Sequence, residues 1–267
     1  MDEKKQEQTV QRNVELEELT EQYLQAAQEG DGVAQYNLAR VYYQNKEYAQ
    51  SFHWWEKAAE NGLNEAWVCM ALQCAYGLGV EKDSNRALDY VRKAVKENPA
   101  DANALCHLGM FYEQGIGTDV NMEQALTCYR QAAEMGNPMA YFNLGVCYFY
   151  GKGVTENIET ALKWVRQAAE MDYGEAQYFL GLQYFVGEQV EQDLQLSLSY
   201  LHKSADGGSL DARQLLPMVE NEINVERQLK STKEIQNMLD GYEAYMNRLA
   251  EELGCGDEEY DEDDEYE

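Results

Sequence analysis

A short step, Ala-x-x-x-Leu/Met-Gly/Ala, returns along the chain at Ala34, Ala66, Ala104, Ala140 and Ala176, at intervals of 32, 38, 36 and 36 residues. A truncated sixth copy begins at Ala212, 36 residues further on. Self-similarity at this period points to a stack of repeated supersecondary units rather than a single globule. Each unit is too thin to bury both of its apolar faces, so its stability must come from its neighbours.

The copy from Ala140 to Asp172 shows the physics of one unit. Ala140, Leu144 and Tyr148 recur at i, i+4 and i+8, one face of a helix. Gly145 beside Leu144 lets a neighbouring helix come close, and Gly151-Lys152-Gly153 then suits a helix end that needs positive φ. Val154 is placed under that turn as an apolar plug, and Asn157 is the predicted N-cap of a second helix. That helix carries Ala161, Trp164, Val165 and Ala168 on one face, with Trp164 expected to supply most of the buried area.

The other copies keep this chemistry. Turns read Gly77-Leu78-Gly79-Val80, Gly115-Ile116-Gly117 and Gly187-Glu188-Gln189-Val190, and N-caps fall in register at Asp83, Asn121 and Asp193. Asn121 with Gln124 has the spacing of a capping box. The pattern A-x-x-x-L-G-x-x-Y-x-x-G-x-G-V, followed by A-x-x-W-x-x-K-A-A-E-x-G, resembles the Sel1-like repeat, a relative of the tetratricopeptide repeat, over Ala34 to Gly208. The resemblance implies an all-α fold, a right-handed α-solenoid of stacked antiparallel helix pairs. The first copy departs from the pattern, with Gln44-Asn45-Lys46-Glu47 in place of the Gly-x-Gly turn. The second exits through Glu97-Asn98-Pro99-Ala100-Asp101; both features are closer to tetratricopeptide units.

Residues 1–12 are polar and read as a disordered N-terminus, and 13–33 as a capping helix over the first exposed face. The repeats occupy 34–216, five full copies and part of a sixth. Pro217 is expected to kink or stop the helix it falls in. Across 217–253 an amphipathic helix is expected, with a possible break at Gly241. Three readings compete for it: a cap on the stack, a short dimerising coiled coil, or a segment lying in the stack's own groove or a partner's. The tail, 254–267, is acidic and reads as disordered.

Net charge is −28, and nine acids in the last eleven residues leave −19 on the rest. Such a balance argues against nucleic acid and anionic membranes, and favours basic partners or simple solubility. The N-terminus has no apolar run, and no stretch of about twenty apolar residues exists. The six cysteines, Cys69, Cys74, Cys106, Cys128, Cys147 and Cys255, fall at unlike repeat positions and read as small core residues in a reducing cytoplasm.

No catalytic constellation, cofactor motif or metal-ligand spacing stands out. His53, His107 and His202 sit at unlike repeat positions, and the Gly-x-Gly segments follow helices with no GKS or GKT after them. The resemblance implies binding instead, along a concave face lined by the first helices. Carried over by register, that face holds Tyr36, Arg40 and Tyr43 from the first copy, and Val68, Leu72 and Ala75 from the second. The third gives Cys106, Met110 and Glu113; the fourth, Phe142, Val146 and Phe149; the fifth, Tyr178, Leu182 and Phe185. Two readings stay open for these apolar side chains, a binding groove or packing between units.

The function expected is a non-catalytic, cytoplasmic scaffold that binds a protein or peptide, helical or basic. It would act as a monomer or as a weak homodimer through the C-terminal helix. A variant of this reading places residues 222–253 in the groove as an inhibitor. The alternatives are β-lactam binding or hydrolysis, which the resemblance attaches to a secreted, cysteine-paired subgroup whose pattern is absent here, and end-to-end structural assembly.

Overall fold

The computed structural model describes residues 20–252. The expectations for residues 1–12, for the start of the capping helix and for the acidic tail lie outside them. The described residues form twelve helices and no strand. These are α1 (20–28), α2 (Gly32–Gln44), α3 (Tyr48–Glu60), α4 (Glu65–Tyr76), α5 (Ser84–Glu97), α6 (Ala102–Gln114), α7 (Met122–Glu134), α8 (Pro138–Tyr150), α9 (Ile158–Glu170), α10 (Gly174–Val186), α11 (Leu194–Asp206) and α12 (Leu210–Glu252). They group into two units, one ending at Gln177 and the other starting at Tyr178.

In the first unit, α2–α3, α4–α5, α6–α7 and α8–α9 are helix pairs, and α3, α5 and α7 each pack on the first helix of the next pair. First helices of successive pairs also meet directly, α4 with α6 and α6 with α8. The end of α1 closes the first face: Ala27 packs with Ala34 and Leu38, and Gln35 Nε2 donates to the Ala27 carbonyl at 2.9 Å.

The recurring sequence signals have separate mechanical jobs. Gly151 ends α8 at φ 66°, a left-handed conformation that costs glycine nothing. The second glycine of each turn seats the loop on the preceding pair. A Cβ on Gly117 would lie 2.2 Å from the Ser84 carbonyl oxygen in the first turn of α5, and one on Gly79 2.4 Å from the Ala49 nitrogen in α3. Within the fourth pair, a Cβ on Gly145 would fall 2.4 Å from Val165 Cγ2, so this glycine sets the spacing of α8 and α9.

Second helices start as expected, with Asp83, Asn121 and Asn157 side chains accepting from the N–H of Arg86, Gln124 and Thr160 at 3.0, 3.0 and 2.8 Å. The reciprocal half of the capping box at Asn121 does not form. Its N–H donates instead to the Tyr112 carbonyl at 2.8 Å, as Asp83 donates to Cys74 and Asn157 to Tyr148. Each turn is thereby tied to the helix it leaves. Leu144 and Val165 are buried in the core between α8 and α9, whereas Trp164, expected to dominate that burial, is only half-buried.

In the second unit α10, from Tyr178, lies on α11. Ser197 Oγ donates to the Gly181 carbonyl at 2.7 Å, and the rings of Tyr184 and Tyr200 stack at 6.1 Å. Helix α11 packs on α12 through a core of Leu194, Leu201, Ala205, Ala212, Val219 and Ile223. The stop expected at Pro217, and the separate helix beyond it, are replaced by one helix that continues through the proline. Proline there removes an internal hydrogen bond, at a cost of about 3 kcal/mol. Ala212 on one side, and Val219 and Ile223 on the other, are buried in the same core and offset that cost. The helix also runs through Gly241 without the expected break. Its first part caps this unit; beyond Ile223 the side chains of Leu229, Ile235 and Met238 are exposed.

Candidate functional site

The first-helix positions of the first unit separate into three classes. Tyr36 and Phe142 are half-buried and used for packing. Tyr36 lies 6.4 Å from the Trp55 ring with its hydroxyl 3.8 Å from Cys69 Sγ, and Phe142 lies 5.6 Å from Tyr173. Val68, Cys106 and Ala75 are buried. Phe149 is only 6 % exposed, edge-on to Tyr150 at 5.0 Å, which favours packing over groove lining of the two readings open for it. Surface remains at Arg40, which is exposed, at Tyr43, 39 % exposed against Tyr48 and Trp55, and at the half-buried Leu72, Met110 and Val146. In the second unit Tyr178 and Phe185 are half-buried and packed on the α11–α12 core, and Leu182 is half-buried.

Glu113, the one acid among these positions, joins three elements. Tyr129 Oη of α7 donates to its Oε2 at 2.7 Å, and Lys152 Nζ, from the turn after α8, donates to its Oε1 at 2.8 Å. Burial, and then the Glu113 carboxylate, push the Tyr129 hydroxyl far above its ordinary range; the same carboxylate raises Lys152. Both partners therefore hold their protons at neutral pH, and the arrangement is a structural tie. The neighbouring thiols are equally inert. Burial pushes Cys106 and Cys147 up to about 12 and Cys69 up to about 11, so none offers a thiolate near neutrality. All five described cysteines are free. His107 lies within α6, its Nδ1 2.8 Å from the Asn103 carbonyl, and burial lowers its pKa.

A concavity that sequence reasoning missed lies on the opposite, second-helix side. It occupies about 510 Å³ between α7 and α9, floored by α8. Arg130, Ala133 and Glu134 form one wall, Trp164 and Gln167 the other, and Tyr141, Leu144 and Tyr148 the floor. The rings of Tyr141 and Trp164 stack at 5.6 Å and 17°. Assigning Trp164 to the core hid this site; the signal was Gln167, where the first, second and fifth copies carry Lys57, Lys93 and Lys203.

The family model for the Sel1 repeat matches residues 32–63, 70–99, 102–137, 138–173 and 174–209. The chain belongs to the Sel1 repeat family. Its helix-pair architecture is of the Sel1 and tetratricopeptide kind, typical of protein–protein interaction scaffolds and generally non-catalytic. A solved Sel1 repeat protein from Oxalobacter formigenes is 31% identical with a TM-score of 0.57, the match covering 70% of this chain and 75% of that one. The immunity protein Pa5087 from Pseudomonas aeruginosa is 25% identical with a TM-score of 0.51, covering 65% of this chain and 67% of that one. Among curated relatives, DAP3-binding cell death enhancer 1 of Mus musculus is 35% identical over 85 residues, 32% of this chain; the chain spans only 16% of that relative's length. No helix among the described residues is long and apolar enough to cross a membrane.

Proposed function

We propose that this Sel1 repeat protein is a non-catalytic cytoplasmic adaptor that holds a basic, helical or extended protein segment against its first helices. The observation that carries the reading is the partly exposed apolar row of Leu72, Met110 and Val146, one side chain from each of three successive pairs. Arg40 holds the same register position in the first pair, with the exposed Tyr43 three residues further along the helix. Apolar surface at equivalent positions of touching helices suits an elongated ligand better than a compact one. A net charge of −28 favours a basic partner by long-range attraction. The mouse relative's name describes it as DAP3-binding, which supports a binding role. Exposed Leu229, Ile235 and Met238 on α12 support weak self-association through that helix.

The test is co-purification from the native cell with Leu72, Met110 and Val146 all changed to Glu. The control is Gln131→Glu on the exposed outer surface of α7. Partner recovery is expected to fall at least about fivefold for the triple variant, the effect of losing roughly 1 kcal/mol, and to hold for the control. Equal recovery with an unchanged melting curve contradicts the reading.

A further inference from the structure

We propose that the cleft between α7 and α9 is a second binding site, which takes a lysine side chain from a partner protein over the stacked rings of Tyr141 and Trp164. One position of the second helix recurs as Lys57, Lys93, Gln131, Gln167 and Lys203. In the first pair Lys57 Nζ lies 4.7 Å from the centre of the Trp54 ring. In the second, Lys93 Nζ stands 3.6 Å above Trp67, which itself stacks on Tyr90 at 5.5 Å. In the fifth, Lys203 Nζ lies 5.9 Å from Tyr200. The third pair has Gln131 but also Cys128 in the aromatic slot, so no ring awaits a cation. Only the fourth pair combines the aromatic slot, Trp164, with an uncharged residue, Gln167. The chain thus shows what these rings attract, and in one pair leaves it out.

The surroundings favour an ammonium from outside. Tyr141 and Trp164 are half-buried, so a cation over them is partly desolvated and gains more from the ring quadrupoles than one in open water. Glu134 lines the same cleft and has no ion pair among the described residues. The chain as a whole carries −28. Arg130, one turn before Glu134, also lines the cleft without an ion pair and is placed to donate to backbone carbonyls of the incoming segment. The site is separate from the first-helix row and stands or falls independently of it.

The experiment titrates the full chain with acetyl-Gly-Lys-Gly-amide, following tryptophan fluorescence and heat. Saturable binding is expected, weakened about tenfold or more when norleucine replaces lysine, and absent with Asp in that place. Trp164→Ala and Glu134→Gln should each weaken it by about tenfold, one contact of ~1.4 kcal/mol. The decisive variant is Gln167→Lys, which copies the second pair: it should abolish peptide binding while leaving the melting curve unchanged or raised. Equal affinity for the norleucine peptide, or undiminished binding by Gln167→Lys, overturns the proposal. So does loss of binding in Arg130→Gln with retention in Glu134→Gln, which would make the cleft a carboxylate reader. Tighter binding of cadaverine than of the peptide would assign it to a free polyamine and likewise overturn it.

Discussion

The second and fourth helix pairs occupy the same place in the repeat and differ in what closes them. In α4–α5, Trp67 is 8 % exposed, its Nε1 donates to Glu97 at 3.0 Å, Lys93 covers its ring, and Lys93 reaches Glu97 at 3.8 Å. In α8–α9 the stacked rings are those of Tyr141 and Trp164, Gln167 stands where Lys93 would be, and Met171 where Glu97 would be. Loss of the two charges, with the Trp and Tyr rings interchanged between the helices, therefore separates a pair sealed by its own charges from one with an open cleft. Both keep the small residues that bring their helices together, so the backbone arrangement survives a change in what the surface can do. In a repeat protein, function is written in the positions where one copy departs from its siblings.

The contrast can be broken from either side. The largest effect is expected for Trp67→Ala, about 3–5 kcal/mol for a buried ring, against about 1–2 kcal/mol for the half-buried Trp164→Ala; urea unfolding of the two variants measures the difference. Next comes Gly145→Ala. The added Cβ meets Val165 Cγ2, and overpacking of this kind costs about 1–3 kcal/mol. The equivalent residue of the second pair is already Ala71, and Ala71→Gly should cost only about 0.5–1 kcal/mol. Smaller still is Lys93→Gln, which strips the cation from Trp67 and should cost about 0.5–1 kcal/mol and give the second pair an affinity for the lysine peptide that it lacks.

The smallest effects are set by proton binding. His107 has a lowered pKa in the folded chain, so the folded state binds fewer protons than the unfolded one as pH falls below about 6.5. Stability attributable to His107 is therefore complete above that pH and declines below it; His107→Gln should flatten the fall in unfolding free energy between pH 7 and 5. The thiols work in the opposite sense. Their folded pKa values are raised, so their contribution is intact below about pH 8.5 and is lost as pH rises beyond it. In a Cys255→Ser background at pH 8, labelling by a disulfide reagent should wait for unfolding.

The periodic features were legible because period and chemistry coincide. Alanine steps, Gly-x-Gly turns and Asp or Asn caps each answer a local backbone need, and the structure uses them in that way. Pro217 does not stop its helix because its local cost is outweighed by burial of Ala212, Val219 and Ile223, which no local rule includes. For Phe149 the two readings stayed open in the sequence because register alone assigns a face without saying what lies against it; its burial favours packing. Trp164 was misread because an aromatic on an apolar stripe looks like core. Its neighbour Val165 fills the core instead, and only comparison of Gln167 with Lys57, Lys93 and Lys203 marks the fourth pair as different.

The measurement that bears most directly on this account is fluorine NMR of the full chain labelled with 5-fluorotryptophan, which reports its four tryptophans separately. Titration with the lysine peptide should move the Trp164 resonance saturably and leave Trp67 in place, because Lys93 already occupies that ring. Movement of both resonances to the same extent, or of neither, would contradict it.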